Sequence, residues 1–179
     1  MSGRTQAALY TSLDLELSWS EDVLPQVERT KHVHSLHPYL GKFIPQLVDV
    51  FLRRYFTRGQ CLYDPFAGSG TALVEANAFG MDAVGCDISA FNCLLCEVKT
   101  DHYALATLEM SLRGALEAAR QMRGVRLKHG TRWLRKWYAK RALNELLSYR
   151  EAIFELDEPA SSVGAVILSR AARSAGSAP

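Results

Sequence analysis

The sequence of 179 residues predicts an α/β fold that contains parallel strands. Two short apolar runs, at residues 61–63 and 83–86, are each followed at once by an aspartate. Between them lie a glycine-rich turn and an apolar helical stretch at residues 72–79. A strand, a turn, a helix and a second strand in this order form a βαβ unit, whose strands are parallel and whose crossover is right-handed.

Hydrophobic periodicity and helix signals predict the remaining elements. Residues 13–19 alternate apolar and polar side chains, which is typical of a half-buried strand. Pro45 opens a helix with one apolar face, and Gly59 ends that helical region. The apolar run at residues 163–168 fits either a strand or a helix. Further helices are predicted at residues 90–99, 105–122, 133–149 and 151–156.

The composition of the chain excludes several classes of protein. With 48% hydrophobic and 22% charged residues it is typical of a globular protein, and its length fits one ordinary domain. No apolar run approaches the ~20 residues that span a bilayer. No apolar stretch follows Arg4 to form a secretory signal. We therefore expect a cytoplasmic protein with no membrane partner.

Cysteine and histidine spacing suggests two metal sites, and neither set of ligands is complete. Cys93 and Cys96 form one C-x-x-C pair with no second pair beside it, so buried small side chains are favoured over zinc. His32, His34 and His37 have permissible spacings, but no nearby carboxylate or cysteine completes the set. We therefore predict no metal.

The turn inside the βαβ unit is the candidate binding element, and we call residues 64–71 the glycine loop. Gly68 and Gly70 let a ligand approach the backbone closely, because glycine lacks a Cβ. The helix that follows offers free N–H groups and a partial positive charge, and we expect Ser69 or Thr71 to cap it. Such a loop suits a phosphate or the carboxylate of a methionine moiety.

Three classes of ligand compete for the glycine loop. A P-loop needs a lysine after its last glycine, and none follows Gly70, which disfavours a nucleoside triphosphate. A dinucleotide fold needs a third glycine at the position that Leu73 occupies. S-Adenosylmethionine remains, since its site uses an acid before the turn and another after the next strand. Asp64 and Asp87 stand there, and a carboxylate at the second position accepts both ribose hydroxyls.

These stretches together resemble one known family. The glycine loop, with the sequence DPFAGSGT, resembles the cofactor motif of DNA methyltransferases that modify exocyclic amines, cytosine N4 or adenine N6. Residues 37–47 resemble the segment before that motif, particularly in cytosine-N4 members. The resemblance covers residues 32–100, with a weaker one at residues 137–173. Further similar residues stand at positions 87–89, 92 and 98–100.

The resemblance implies S-adenosylmethionine as cofactor, a Rossmann-like doubly wound sheet and a role for each site residue. Asp64 anchors the amino group of the cofactor, Asp87 holds its ribose and Ile88 packs on its adenine. Lys42 and Phe43 close the methionine end. For Phe43 and Ile88 the alternative is ordinary core packing. The loop residues against the cofactor are Phe66, Ala67, Gly68, Ser69, Gly70 and Thr71.

The catalytic motif of the family does not occur in the 179 residues. By the resemblance it is Asp or Ser, two prolines, and Tyr or Phe, and it holds the amine of an extruded base. None of the six prolines is adjacent to another, and residues 157–160 have only the acid and one proline. We therefore expect one partial domain with a truncated sheet, inactive without a second chain that carries the catalytic half. Its parts are an N-terminal strand and linker (1–31), a cofactor-binding core (32–100) and a helical region (101–179).

A basic stretch is the candidate DNA surface. Residues 123–141 contain eight Lys or Arg residues and no acid, interleaved with Trp133, Trp137 and Tyr138. Such a surface would follow phosphates and stack an aromatic ring on a base. The alternative is a solvated helix face whose tryptophans belong to the core. The predicted DNA contacts are Arg132, Arg135, Lys136 and Lys140.

The resulting hypothesis is methylation of an exocyclic amine in DNA, with cytosine N4 preferred over adenine N6. Two alternatives stay open at this point. One is a catalytically silent cofactor-binding or assembly subunit, or a gene remnant. The other is methylation of RNA or of a small molecule on the same scaffold.

Overall fold

The computed structural model describes residues 19–20, 22–30, 32–38, 41–122 and 129–176 of the chain. The described residues form two β-strands, seven α-helices and two 3₁₀ helices (His32–Ser35 and His129–Lys136). The predicted strand at residues 13–19 lies outside them except for Trp19. The strands are β1 (Cys61–Asp64) and β2 (Asp82–Gly85). The helices are α1 (Gln26–Arg29), α2 (Pro45–Tyr55), α3 (Thr71–Phe79), α4 (Ala90–Thr100), α5 (Leu105–Gln121), α6 (Lys140–Phe154) and α7 (Ala160–Ala175).

The predicted βαβ unit is confirmed. β1 and β2 pair in parallel, with Leu62 opposite Ala83 and Tyr63 opposite Val84, and α3 connects them. The fold is therefore mixed α/β, mostly helical around a small parallel sheet. The described residues contribute two strands to that sheet, so the Rossmann-like doubly wound arrangement stays a prediction.

One face of the sheet is covered by helices, and within the described part of the chain the other face is open. Successive side chains of a strand point to opposite faces, and Leu62 and Ala83 share the face that packs against α2 and α3. Leu52 of α2 and Ala76 of α3 are the buried residues at this contact. Tyr63 and Val84, on the other face, are mostly exposed among the described residues.

A second core joins α4 to the C-terminal helices. Leu95 and Val98 of α4 pack against Val163 and Val166 of α7. A neighbouring cluster, formed by alanine side chains and Ile153, joins α5, α6 and α7. These apolar contacts fix α4 between the sheet and α7, and α4 in turn supports the glycine loop.

The helical region differs from the prediction in its boundaries. Residues 133–149 are not one helix, because the 3₁₀ helix ends at Lys136 and α6 begins at Lys140. Ala139 between them has φ −59° and ψ 146°, which is not helical backbone. No proline or glycine marks this break in the sequence, so periodicity alone did not reveal it. The predicted break at residue 150 is wrong, and the undecided run at residues 163–168 lies within α7.

Candidate functional site

The glycine loop rests on one face of α4. Asn92, Cys96 and Lys99 are spaced four and three residues apart, which brings them to the same side of a helix. Cys96 donates its thiol hydrogen to the carbonyl of Gly68, with Sγ 3.6 Å from the oxygen. Lys99 donates to the carbonyl of Ser69 at 2.6 Å. The helix therefore holds two successive carbonyls of the loop.

Gly70 is required by backbone conformation and by space. Its φ is 77° and that of Gly68 is 52°, in the left-handed region that disfavours side chains. A Cβ at position 70 would stand 3.0 Å from Sγ of Cys96. The loop thus lies so close to α4 that only glycine fits there without displacing the cysteine.

Asp87 joins the end of β2 to the glycine loop. Its Oδ2 accepts a hydrogen bond from the backbone N–H of Gly68 at 2.9 Å. Its Oδ1 accepts from the N–H of Ser89 at 2.8 Å and from Nδ2 of Asn92 at 3.0 Å. These three hydrogen bonds hold the pKa of Asp87 below its usual value. The bond from Ser89 has the largest effect, followed by those from Asn92 and Gly68. The side chain is therefore an anion at neutral pH and faces the loop.

Asp64 stands at the same edge of the sheet as Asp87. Its Oδ1 accepts from the N–H of Phe66 at 3.0 Å, which fixes the first turn of the loop. Where the strands end, the backbone N–H of Cys86 donates to the carbonyl of Asp64. The backbone N–H of Ala67 in turn donates to the carbonyl of Cys86. Both aspartates therefore lie at the carboxyl ends of parallel strands, where open α/β sheets bind ligands.

Three apolar side chains predicted to contact the cofactor are exposed. The exposed fractions are 64% for Phe43, 87% for Phe66 and 106% for Ile88. The core alternative for Phe43 and Ile88 is therefore wrong. Large apolar side chains left uncovered around a polar loop are typical of a binding surface.

Lys42 is tied to the segment that precedes it. Its Nζ donates to the carbonyl of His34 at 2.6 Å, and burial lowers the pKa of Lys42 from its usual value. Nε2 of buried His34 lies 2.7 Å from Oε1 of Glu75 on α3. We call residues 32–38, which contain three histidines, the histidine segment. These contacts attach it to α3, the helix that follows the glycine loop. The role of Lys42 at the methionine end of the cofactor stays a prediction.

Helix α7 also contacts the histidine segment. Nε2 of His37 lies 3.2 Å from Oγ of Ser169, and the His37 ring packs edge-on against Phe91. Arg170 donates to the carbonyls of Ser35 and Leu36 at 2.8 and 3.1 Å. The residues are about 135 positions apart in sequence, and no local pattern indicated the contact.

The expected helix cap is wrong. No side chain caps α3, and its N-cap residue is Gly70. The hydroxyl oxygens of Ser69 and Thr71 are buried and have no hydrogen-bond partner among the described residues. The amino end of the helix therefore keeps its unpaired groups next to the loop.

Lys99 belongs to the residues 98–100 that resemble the family, but no role was predicted for it from the sequence. It lies on the buried face of α4 with Asn92 and Cys96. Burial, which is the larger cause, and repulsion by Lys42 together lower the pKa of Lys99 to about 8. The sequence signal for its burial was its position on the same face of the predicted helix as apolar residues.

No group of three or more His, Cys, Asp or Glu within the described ranges could hold a metal. His34 and His37 instead make the contacts given above. Cys93 and Cys96 are free thiols that donate to the carbonyls of Asp87 and Gly68. Burial raises the pKa of Cys96 to about 11. In the part of the chain that is described, no helix has the length and apolarity needed to cross a membrane.

Comparison with known proteins identifies the segment that carries the site. Residues 10–97 match the family model described as DNA methylase. This segment belongs to the DNA methylase family. The match includes every predicted cofactor residue from Lys42 to Ile88.

Two curated relatives resemble the DNA methylase segment. Type II methyltransferase M.MjaII of Methanocaldococcus jannaschii is 48% identical over 111 residues, which are 61% of this chain and 21% of that protein. Type II methyltransferase M.MvaI of Kocuria varians is 36% identical over 90 residues, which are 45% of this chain and 20% of that protein. The matched stretches thus span about a fifth of either relative. No solved structure matches the chain significantly.

The basic stretch beyond the DNA methylase match is described only in part. Residues 123–128 and the side chain of Arg132 lie outside the described part. Arg135, Lys136 and Lys140 are exposed. Trp133 and Trp137 are exposed as well, so the alternative that these tryptophans belong to the core is wrong.

Proposed function

We propose that this chain supplies the S-adenosylmethionine pocket for methylation of an exocyclic base amine in DNA, cytosine N4 in preference to adenine N6. The observation that carries the proposal is the contact of Asp87 with the glycine loop at the carboxyl edge of the sheet. An ionised carboxylate, exposed apolar side chains and unpaired groups at the amino end of a helix meet there. These are the partners that a ribose, an adenine and an amino-acid moiety need.

The residues present fit this cofactor. Oδ2 of Asp87 accepts one hydrogen bond from a described residue and keeps a lone pair for a ribose hydroxyl. Ile88 follows it and offers an uncovered apolar surface to the adenine. The loop packs closely against α4 at Gly70, which holds its backbone in place beside Asp87. Bound here, S-adenosylmethionine supplies the methyl group, and this chain binds and orients it.

The residues that hold the target amine are, in this proposal, supplied by another polypeptide segment. The tetrapeptide of Asp or Ser, two prolines and an aromatic does not occur among the 179 residues. A second chain or segment that carries it would complete the sheet. The uncovered side chains of Tyr63 and Val84 support this, because apolar strand faces are stable when another layer covers them.

The DNA contacts in this proposal are Arg132, Arg135, Lys136 and Lys140. The exposure of Trp133 and Trp137 between basic side chains supports the assignment, because aromatic rings on a basic surface stack on nucleic-acid bases. Arg141 is engaged with Glu145 at 2.8 Å and is therefore not included.

Photo-crosslinking with S-adenosylmethionine labelled in its methyl group, followed by a transfer assay on DNA, tests the function. The chain alone should crosslink the label and should transfer none of it to DNA. A lack of crosslinking would contradict the cofactor pocket. Transfer by the chain alone would contradict the need for a second segment.

A catalytically silent cofactor-binding subunit is the second candidate, favoured by the missing tetrapeptide. The two candidates differ when a polypeptide with the tetrapeptide is added. Restored transfer to cytosine or adenine in DNA supports the split enzyme. Crosslinking without transfer in every such mixture supports the silent subunit.

A further inference from the structure

Lys99 is a buried cation without an anion. It is 6% exposed, and its Nζ donates to the carbonyl of Ser69 at 2.6 Å. The charge of Lys42, which donates to the carbonyl of His34, also acts on Lys99. Neither lysine forms an ion pair with any residue that the structure describes. Two positive charges therefore act on each other, each with a carbonyl as its partner, and that of Lys99 contacts the glycine loop.

Such an arrangement is costly, because a buried ammonium is stable when a carboxylate compensates it. The lowered pKa of Lys99, about 8, reflects that cost, and the group still carries its proton at neutral pH. Uncompensated charges of this kind concentrate at functional sites.

The backbone of the loop adds one unpaired donor on the opposite side from α4. A peptide is planar with its N–H opposite its carbonyl, so carbonyls that point to α4 turn the following N–H groups away from it. The N–H of Gly70 is bonded to the carbonyl of Ala67. The N–H of Ser69 donates to no acceptor among the described residues.

The buried hydroxyls give an independent indication of a missing ligand. Ser69 and Thr71 are 2% and 3% exposed, and their hydroxyl oxygens lack a partner within the described part of the chain. Both stand where the nine-residue helix α3 begins without a side-chain cap. The amino end of a helix and unpaired donors both favour an anionic group.

We propose that Lys99 is a positioning residue of the cofactor loop, which acts through the Ser69 carbonyl and selects ligands whose loop-facing end is a carboxylate. The inference rests on the proposed function, because it concerns the same loop. Lys99 does not touch the ligand. Its ammonium holds the Ser69 carbonyl toward α4 and so fixes the turn, and its charge makes that turn attract an anion.

The test compares two ligands on three forms of the full chain. S-Adenosylmethionine has an amino-acid end, and 5′-methylthioadenosine lacks it. Lys99→Met removes the buried charge, and Lys140→Met is the matched control at an exposed lysine outside the loop. Isothermal titration gives the affinities, and circular dichroism melting checks the fold.

In Lys99→Met we expect the affinity for S-adenosylmethionine to fall about tenfold, because the turn loses the charge that attracts the carboxylate. The affinity for 5′-methylthioadenosine should change less than about threefold, since that ligand has no carboxylate to be attracted. Lys140→Met should change neither. Unchanged binding of S-adenosylmethionine in Lys99→Met, or an equal loss for both ligands, would overturn the proposal.

A second variant separates charge from hydrogen bonding. Lys99→Gln keeps an N–H donor for the Ser69 carbonyl but carries no charge, so it should also lose affinity for S-adenosylmethionine selectively. Wild-type affinity in this variant would overturn the role of the charge. If neither variant folded, Lys99 would be a structural element and the proposal would be wrong. A wild-type chain that binds neither ligand would instead contradict the proposed function itself.

Discussion

The carboxylate of Asp87 accepts a hydrogen bond from the backbone of Gly68 at 2.9 Å, across 19 residues of sequence. This bond ties the end of the second strand to the turn after the first. Asn92 adds a third bond from α4, so strand, loop and helix converge on one side chain. The same aspartate therefore organises the loop, and in the proposed function it is the acceptor for the ribose.

Gly70→Ala should destabilise the protein through both strain and crowding. Residue 70 has a φ of 77°, and a Cβ there would press on Sγ of Cys96 at 3.0 Å. We expect a loss of about 1–3 kcal/mol in the free energy of unfolding. Gly59→Ala is the matched control, because its φ is 80° but no atom lies within 4 Å of the new Cβ. Urea titration should give the larger loss at position 70, and equal losses would contradict the crowding.

The contact between His34 and Glu75 should contribute to stability. The two side chains are buried, and Nε2 lies 2.7 Å from Oε1. Glu75→Ala leaves a buried ring nitrogen without its partner, so we expect a loss of about 1–3 kcal/mol in the free energy of unfolding. Glu109→Ala removes an exposed pair with Arg113 and should cost less than about 1 kcal/mol. Similar losses in the two variants would mean that the buried contact is not formed.

Lys99 should make stability depend on pH. Its pKa is lowered from 10.5 to about 8 in the folded protein, so between these values the unfolded chain binds more protons. The free energy of unfolding therefore rises with pH in that window, by up to about 1.4 kcal/mol per pH unit. The pKa of Cys96, raised from 9.0 to about 11, opposes this above pH 9. Between pH 8 and 9, the effect of Lys99 on the free energy of unfolding is therefore not opposed by Cys96.

Denaturant unfolding of the wild type and of Lys99→Met at pH 8 and 9 measures this effect. The wild type should gain more stability than the variant between the two values. Parallel behaviour of the two proteins would mean that Lys99 is not buried as a cation.

Ile88→Ser should weaken cofactor binding and leave folding unchanged. The side chain is fully exposed in the free protein, so its removal costs little in the free energy of unfolding. If adenine covers it, the variant loses about 1–2 kcal/mol of binding free energy, part of the value of a buried isoleucine. Leu105→Ser, at another exposed apolar residue, is the control. Titration calorimetry that shows the same affinity in both variants would contradict the adenine contact.

The sequence predicted the βαβ unit and the position of the glycine loop because those features depend on local signals. Short apolar runs, paired glycines and aspartates at strand ends lie within 30 residues of each other. The exposure of Phe43 and Ile88 did not follow from the sequence, because core packing stayed open as an alternative for both.

Contacts that depend on tertiary packing were not predictable in the same way. Lys99 reaches the Ser69 carbonyl from 30 residues away, and Arg170 reaches Ser35 from 135 residues away. The helix break at residues 137–139 has no glycine or proline to mark it. The cap expected from Ser69 or Thr71 failed because Gly70 adopts the left-handed conformation and no side chain accepts from the first turn of the helix.

Titration of S-adenosylmethionine against the wild type, Asp87→Ala and Asp82→Ala tests the central claim most directly. Asp82 is an exposed aspartate at the start of β2, the strand that precedes Asp87, and serves as the matched control. The wild type and Asp82→Ala should bind alike, and Asp87→Ala should lose about 1–3 kcal/mol of binding free energy because ribose hydroxyls lose their acceptor. Binding by Asp87→Ala at wild-type affinity, or no binding by the wild type, would contradict the account.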